Sequence, residues 1–183
     1  MQLQEIDDQF SEARSELIKL ADTISFSNDG VMVHEFVLNE DTGRIDIPKK
    51  IGLYLFEIDT NGLEDYNKWV EHFITKWQDE KYKKYFVPNS RKSRLEHHRN
   101  KPIEKWMPLY LGKTNNLGGR INQHIFHELK KPTTALKLKA RTNLYGERFR
   151  VKYLTLDIQN WREILPILER ALRDKVNPIL GRQ

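Results

Sequence analysis

Apolar residues recur at alternating spacings of three and four near the N-terminus of the chain. The repeat consists of Leu3, Ile6, Phe10, Ala13, Leu17, Leu20 and Ile24. This period matches one face of an α-helix, so it predicts an amphipathic helix over residues 3–26 with an acidic opposite face. The turn-forming Asn28-Asp29-Gly30 is expected to end the helix.

Four downstream segments have the pattern of β-strands. VMVHEFVL (31–38) alternates between apolar and polar residues and precedes a turn at Asp41-Thr42-Gly43. Strands are also predicted for IGLYLFEI (51–58), MPLYLG (107–112) and RFRVKYLTL (148–156).

Helical periodicity returns between these strands. It predicts helices over residues 63–78, 117–129 and 161–175, and a short helix over 133–140. Residues 79–105 show no clean period. Pro166 leaves two alternatives for the last helix: it begins near Leu165 with the proline in its first turn, or the proline kinks it at a cost of about 3 kcal/mol.

Composition narrows the class of protein. The 183 residues fit one domain, or one domain with an appendage. The chain has no cysteine, which excludes disulfides, thiol catalysis and cysteine-ligated zinc. The N-terminus is acidic where a signal peptide would be basic and then apolar, and no apolar run approaches the length of a membrane span. We therefore expect a soluble, cytoplasmic protein with no membrane partner.

The net charge of +5 conceals an asymmetry. Residues 1–48 hold 11 Asp/Glu and 3 Lys/Arg, whereas the rest of the chain holds 15 Asp/Glu and 28 Lys/Arg. Two basic stretches, 81–105 and 130–152, concentrate the positive charge, and aromatic residues are interleaved with the first. Such a combination is typical of a nucleic-acid surface, while the alternative is a solvated face. The candidate phosphate contacts are Lys83, Lys84, Arg91, Lys92, Arg94, Lys137, Lys139 and Arg141.

Residues 109–127, LYLGKTNNLGGRINQHIFH, join a strand to a helix that carries unusual polar groups. Asn115 or Asn116 is expected to cap the helix, which would leave free backbone N–H groups for an anion, and Gly118-Gly119 would let a phosphate approach closely. Arg120, His124 and His127 form a polar stripe at spacings of four and three. A solvated helix face is the alternative interpretation.

Gly52-Leu53-Tyr54 in one strand and Tyr110-Leu111-Gly112 in another resemble the signature of the GIY-YIG nucleases. The string YLGKTNNLxxR, with His124 four residues after the arginine, makes the resemblance specific. A later strand, a helix carrying Glu169, and Asn177-Pro178 follow in the order of that family. The resemblance covers residues 51–58 and about 107–183.

This resemblance implies an α/β (α+β) fold: a small three-stranded antiparallel sheet flanked by helices, here with an N-terminal helix and an insert between the first two core strands. It also implies hydrolysis of phosphodiesters with one divalent cation, Mg²⁺ or Mn²⁺. Tyr54 and Tyr110 would face the phosphate, and one of them would be the general base once nearby cations lower its pKa.

The remaining roles follow from the same resemblance. Arg120 would clamp the phosphate, with Lys113 assisting. His124 would relay a proton or orient water. Glu169 would hold the metal ion, for which one protein carboxylate is chemically sufficient.

Two features depart from the family pattern. About 55 residues separate Tyr54 from Tyr110, where the family commonly has about ten, so the insert 59–106 is as large as a recognition subdomain. Gly181 in NPILG also replaces the family's closing asparagine. The resulting organisation is an acidic N-terminal segment, 1–48, followed by a nuclease domain, 49–183.

The sequence therefore predicts a metal-dependent endonuclease acting on DNA, with RNA left open, and with restriction-like selectivity for a sequence or a structure. The alternative is a nucleic-acid-binding protein whose GIY-YIG core no longer cuts. For the N-terminal helix, the two alternatives are packing against its own core and a homodimer.

Overall fold

The computed structural model describes residues 2–27, 30–63 and 65–181. Its elements, in chain order, are α1 (Gln2–Thr23), β1 (Met32–Val37), β2 (Gly52–Asp59), α2 (Tyr66–Trp77), α3 (Glu80–Lys83), α4 (Lys92–Arg99), β3 (Trp106–Thr114), α5 (Leu117–Phe126), β4 (Arg148–Thr155) and α6 (Trp161–Val176). The predicted α/β class is confirmed, and no helix among these residues is long and apolar enough to cross a membrane.

The four strands form one antiparallel sheet in the order β1-β4-β2-β3. The sheet has four strands where the resemblance implied three, because the alternating segment predicted over 31–38 pairs with the outer side of β4. The β2–β3 pairing contains a register shift beside Phe56, which pairs with Tyr110. Such bulges redirect side chains, and this one lies next to a candidate catalytic tyrosine.

Both faces of the sheet are covered by helices. On one face, apolar side chains of β2, β3 and β4 pack with the buried stripes of α2 and α5, including the predicted Trp69, Phe73 and Trp77. On the other face, Leu53 and Leu55 pack with α6 and with the end of α1. This double coverage explains why every residue of β2 is buried.

The insert between β2 and β3 folds as α2, α3 and α4 and is anchored to the C-terminal segment of the chain. Residues 179–180 donate their backbone N–H groups to the carbonyls of Pro108 and Leu109 along the edge of β3. The insert binds the other side of this segment, since the backbone N–H of Arg91 donates to the Ile179 carbonyl at 2.9 Å. The insert therefore borders the same sheet edge that carries Tyr110.

Several predicted boundaries differ from the structure. The first helix ends at Thr23, and part of its predicted Asn28-Asp29-Gly30 terminator lies outside the described residues. Residues 133–140 contain only a 3₁₀ turn at Leu138–Ala140. Pro166 lies inside α6, beyond its first turn, and the helix runs from Trp161 to Val176, so the alternative in which it begins near Leu165 is wrong.

Candidate active site

Three aromatic rings from separate elements meet on the α5 side of the sheet. Tyr54 of β2 lies parallel to Tyr110 of β3, with ring centroids 6.3 Å apart. His124 of α5 packs against both, at 4.8 Å from Tyr110 and 5.3 Å from Tyr54. Its Nε2 atom lies 2.9 Å from the Tyr54 hydroxyl. The two tripeptides and the helix thus contribute to one cluster.

Gly112 makes room for the Tyr54 ring. The two residues are directly paired across β2 and β3. A Cβ atom at position 112 would lie 2.3 Å from the Tyr54 hydroxyl oxygen, closer than real Cβ atoms approach a neighbour. Position 112 therefore has to be glycine, because the Tyr54 side chain occupies the space that a Cβ atom would need.

The hydrogen bonds of His124 fix which ring nitrogen carries its proton. The backbone N–H of Leu136 donates to Nδ1 at 3.0 Å, so Nδ1 is an acceptor. Burial lowers the pKa of His124 well below its ordinary value, and the charge of Arg120 adds to this effect. The ring is therefore neutral with its proton on Nε2, and this N–H donates to the Tyr54 oxygen. The hydroxyl proton of Tyr54 is left for another acceptor.

Burial raises the pKa of both tyrosines. For Tyr54 the loss of solvent and the neighbouring Tyr110 raise the pKa, and Arg120 opposes them through its charge and a hydrogen bond. For Tyr110 burial again raises the pKa, and Arg120 again opposes it. Both phenols are therefore protonated at neutral pH, and removal of either proton requires positive charge beyond that of the residues already present.

Arg120 lies over this pair from the second turn of α5. Its guanidinium donates to Gln123 Oε1 at 3.0 Å and to Thr134 Oγ1 at 3.2 Å. Thr134 lies in the loop after α5, and its hydrogen bond with the Tyr110 side chain partly opposes the rise in the pKa of Tyr110. A planar cation held in place by neighbouring side chains suits the binding of a phosphate.

Lys113 and Glu169 form an ion pair at the border of the cluster. Lys113 Nζ lies 2.7 Å from Glu169 Oε2, and their side chains are 34% and 17% exposed. Glu169 belongs to the site electrostatically, because its charge raises the pKa of both tyrosines.

The donor set at this point suits a hard cation such as Mg²⁺. The described residues hold no group of three or more metal-ligating side chains, and at this point Glu169 supplies a carboxylate. Mg²⁺ usually keeps several waters and binds through one or two carboxylates plus phosphate oxygens. Glu169 can supply this carboxylate when Lys113 no longer occupies its Oε2 atom.

The prediction that the N-terminus of α5 leaves free backbone N–H groups for an anion was wrong. The N–H of Leu117 donates to the Lys50 carbonyl at 2.9 Å, and the N–H of Gly118 donates to the Pro48 carbonyl at 3.1 Å. Asn116 is the N-cap and accepts from the N–H of Gly119 at 2.9 Å. A side chain at Gly118 would collide with the Ile47 carbonyl. The first glycine thus serves helix packing, and neither N–H remains for a phosphate.

Gly181 lies against the site, next to the Tyr110 ring. A Cβ atom there would lie 3.7 Å from the Tyr110 ring, and its φ of +124° suits glycine. Its carbonyl accepts a hydrogen bond from Arg91 Nε at 2.6 Å, and its N–H donates to Asn89. The insert therefore holds the backbone that borders Tyr110.

The eight candidate phosphate contacts separate into three groups by exposure. Lys83, Lys84 and Lys92 are exposed, and Lys83 forms an exposed ion pair with Glu80. Arg91 and Lys139 are half-buried, and Lys139 donates to the Thr42 carbonyl. The other three candidates are buried.

These three buried cations have structural partners. Lys137 donates from Nζ to three backbone carbonyls, at 2.6 to 3.0 Å. Arg141 lies over the rings of Trp77 and Tyr82, and burial lowers its pKa to about 10. Arg94 donates to the Pro178 carbonyl at 3.1 Å. Their charged ends face the interior, so the phosphate-contact hypothesis is confined to the other five residues.

Sequence reasoning missed the contribution of the loop after α5. Thr134 and the backbone of Leu136 hold Arg120 and His124 respectively. No sequence signal marks them, because the first is an ordinary threonine and the second acts through its main chain. His127, in contrast, contacts Thr133 and stays outside the ring cluster.

Comparison of the chain with protein-family models, with curated proteins and with solved structures found no match.

Proposed function

We propose that the protein is a metal-dependent endonuclease of the GIY-YIG type that hydrolyses phosphodiester bonds in DNA. One observation carries the proposal: side chains from four elements converge on one site. They are Tyr54, Tyr110, Lys113, Arg120, His124 and Glu169, which lie up to 115 positions apart in the sequence. Packing alone does not require two phenols, a neutral imidazole, a guanidinium and a lysine–carboxylate pair to meet.

Tyr54 is the general base of this proposal. Its oxygen receives the His124 N–H at 2.9 Å and lies under the charge of Arg120. Both interactions stabilise a phenolate more than a phenol. Because burial raises the pKa of Tyr54, proton loss is expected only when substrate and cation are bound.

The other residues bind and neutralise the reacting phosphate. Arg120 clamps two of its oxygens and stabilises the charge that develops on them. Mg²⁺ held by Glu169 would supply further charge stabilisation and lower the pKa of a water. Lys113, which pairs with Glu169 at 2.7 Å, would assist by neutralising charge on the leaving oxygen.

The proposal is tested by incubating plasmid DNA with the protein in Mg²⁺, in Mn²⁺ and in chelator. We expect cleavage in either metal and none in chelator, with ends that ligation and end-labelling can map. Tyr54→Phe keeps the ring and removes the base, so it should lower the rate by about 100-fold or more. Intact DNA in both metals would favour the non-cutting DNA-binding protein.

A further inference from the structure

The N-terminal half of α1 extends beyond the folded core with its apolar stripe exposed. Leu3, Ile6 and Phe10 are 79%, 60% and 56% exposed, and the only buried residue of the helix in the described chain is Ala21. The contact with α6 involves the last turns of α1, where Leu17 and Ala21 pack in the apolar cluster that α6 forms with Leu53 and Leu55 of β2. Packing against its own core therefore accounts for only one end of this helix.

The exposed stripe has the period of a coiled coil. Its residues alternate three and four apart from Leu3 to Ile24, which is a repeat of 3.5 residues over three heptads. Leu20 remains 51% exposed although it lies near the core, whereas Leu17 is half-buried there, so the stripe is exposed from Leu3 to Ala13 and again at Leu20. A contiguous apolar patch of this kind usually marks an interaction site.

We propose that α1 pairs with α1 of a second copy of this chain in an antiparallel, two-fold symmetric coiled coil. In the register proposed here, Leu3 of one copy faces Leu20 of the other, and Ile6 faces Leu17. Phe10 then faces Ala13 of the second copy, and the symmetry axis repeats this large-to-small pairing. A parallel pair would place Phe10 against Phe10 and Ala13 against Ala13, which overfills one layer and leaves a gap in the next.

Charge favours the same orientation. The helix carries six Asp/Glu and two Lys/Arg, so its surface is acidic and an arbitrary pairing would be repulsive. In the antiparallel register Asp7 flanks Arg14 of the second copy, twice by symmetry. In a parallel pair the flanking partners of Asp7 and Arg14 are the neutral Gln2 and Gln9. Exposed ion pairs contribute little energy, but at these positions they select orientation.

The size of the helix sets the expected affinity. Its 22 residues span about 33 Å, and three heptads lie at the short end of coiled-coil interfaces. A dissociation constant on the order of micromolar is therefore expected. The inference does not rest on the proposed nuclease activity, since only the helix supplies its evidence.

Cysteine cross-linking tests the orientation, because the chain has no cysteine of its own. Leu3→Cys and Leu20→Cys, one of them tagged, are mixed and oxidised. These positions face each other in the proposed register, so the mixture should form a mixed disulfide. Leu3→Cys alone should not cross-link, because its two copies would lie 17 residues, or about 26 Å, apart. Equal cross-linking by Leu3→Cys alone, or no cross-link in the mixture, would overturn the proposal.

Light scattering tests the interface itself. Wild-type protein at about 100 μM should have the mass of a dimer. Phe10→Glu should be monomeric, whereas Ser11→Glu, with the same added charge off the stripe, should remain a dimer. Both sites are exposed, so neither variant is expected to unfold. A monomeric wild type, or a dimeric Phe10→Glu variant, would contradict the proposal.

Discussion

Gly112→Ala separates the geometry of the site from its chemistry, because it removes no functional group. The new methyl group would lie 2.3 Å from the Tyr54 hydroxyl oxygen and 2.5 Å from its ring carbon Cζ. Real Cβ atoms essentially never come within 3.0 Å of a neighbour, so the hydroxyl must move by at least 0.7 Å.

The ring has little room for that movement. Phe56 lies edge-on to it at 6.1 Å, and Tyr110 and His124 close its other sides. The shift should therefore break the 2.9 Å contact between His124 Nε2 and the Tyr54 hydroxyl. Misplacement by about 1 Å can cost 100-fold in rate, so we expect a loss of about 30-fold to 100-fold, or roughly 2 to 3 kcal/mol of barrier.

The assay is single-turnover cleavage with the protein in saturating excess over DNA, and the melting temperature is measured in parallel. Overpacking should cost about 1 to 3 kcal/mol of stability, which lowers the melting temperature by about 2 to 12 °C. Gly43→Ala is the matched control, because nothing lies within 4 Å of its Cβ position. A folded Gly112→Ala enzyme that cleaves at the wild-type rate would refute the assignment of Tyr54 as a closely positioned group.

Three further variants test the buried histidine, the buried lysine and the exposed lysines in turn. Burial lowers the pKa of His124, so below about pH 6.5 the unfolded chain binds a proton that the folded protein does not. The free energy of unfolding should therefore decrease as the pH is lowered below this value, by up to about 1.4 kcal/mol per pH unit. Urea titrations at pH 7 and 5.5 should show this loss in wild type but less of it in His124→Asn; equal losses would contradict it. Lys137→Met leaves three part-buried carbonyls without their donor and should lower stability by about 3 kcal/mol, or the melting temperature by about 6 to 12 °C, without changing DNA affinity. Replacing Lys83, Lys84 and Lys92 with Met should weaken DNA binding and flatten the slope of log affinity against log salt by about 0.9 for each phosphate that is no longer neutralised; an unchanged slope would show that these lysines bind no phosphate.

Periodicity predicted most of the helices and strands. The stripe of Trp69, Phe73 and Trp77 is buried in the core, and segment 31–38 pairs with β4 although Val33 and Val37 stay exposed. The short α3 and α4 escaped prediction, since α4 is nearly all polar and is held by contacts with distant residues such as Pro178 and Ile179. Tertiary contacts of this kind leave no local period.

The candidate site was also only partly predictable from the sequence. The candidate catalytic side chains could be named from the motif, but their surroundings could not. Lys137 and Arg141 look like surface cations in a basic run, and only the fold shows that backbone carbonyls and aromatic rings enclose them. The N-terminus of α5 likewise looked free until the segment at Pro48 and Lys50 proved to accept its N–H groups.

Cleavage by Glu169→Gln, compared with Glu163→Gln on the same helix, tests the central claim most directly. Glu163 is exposed and stands outside the site, so its variant controls for the loss of one negative charge from α6. We predict that Glu169→Gln binds DNA in the absence of metal as wild type does, and that its Mg²⁺-dependent cleavage falls by about 100-fold or more while Glu163→Gln cleaves normally. Cleavage by Glu169→Gln at the rate of Glu163→Gln would contradict the claim that this site hydrolyses DNA.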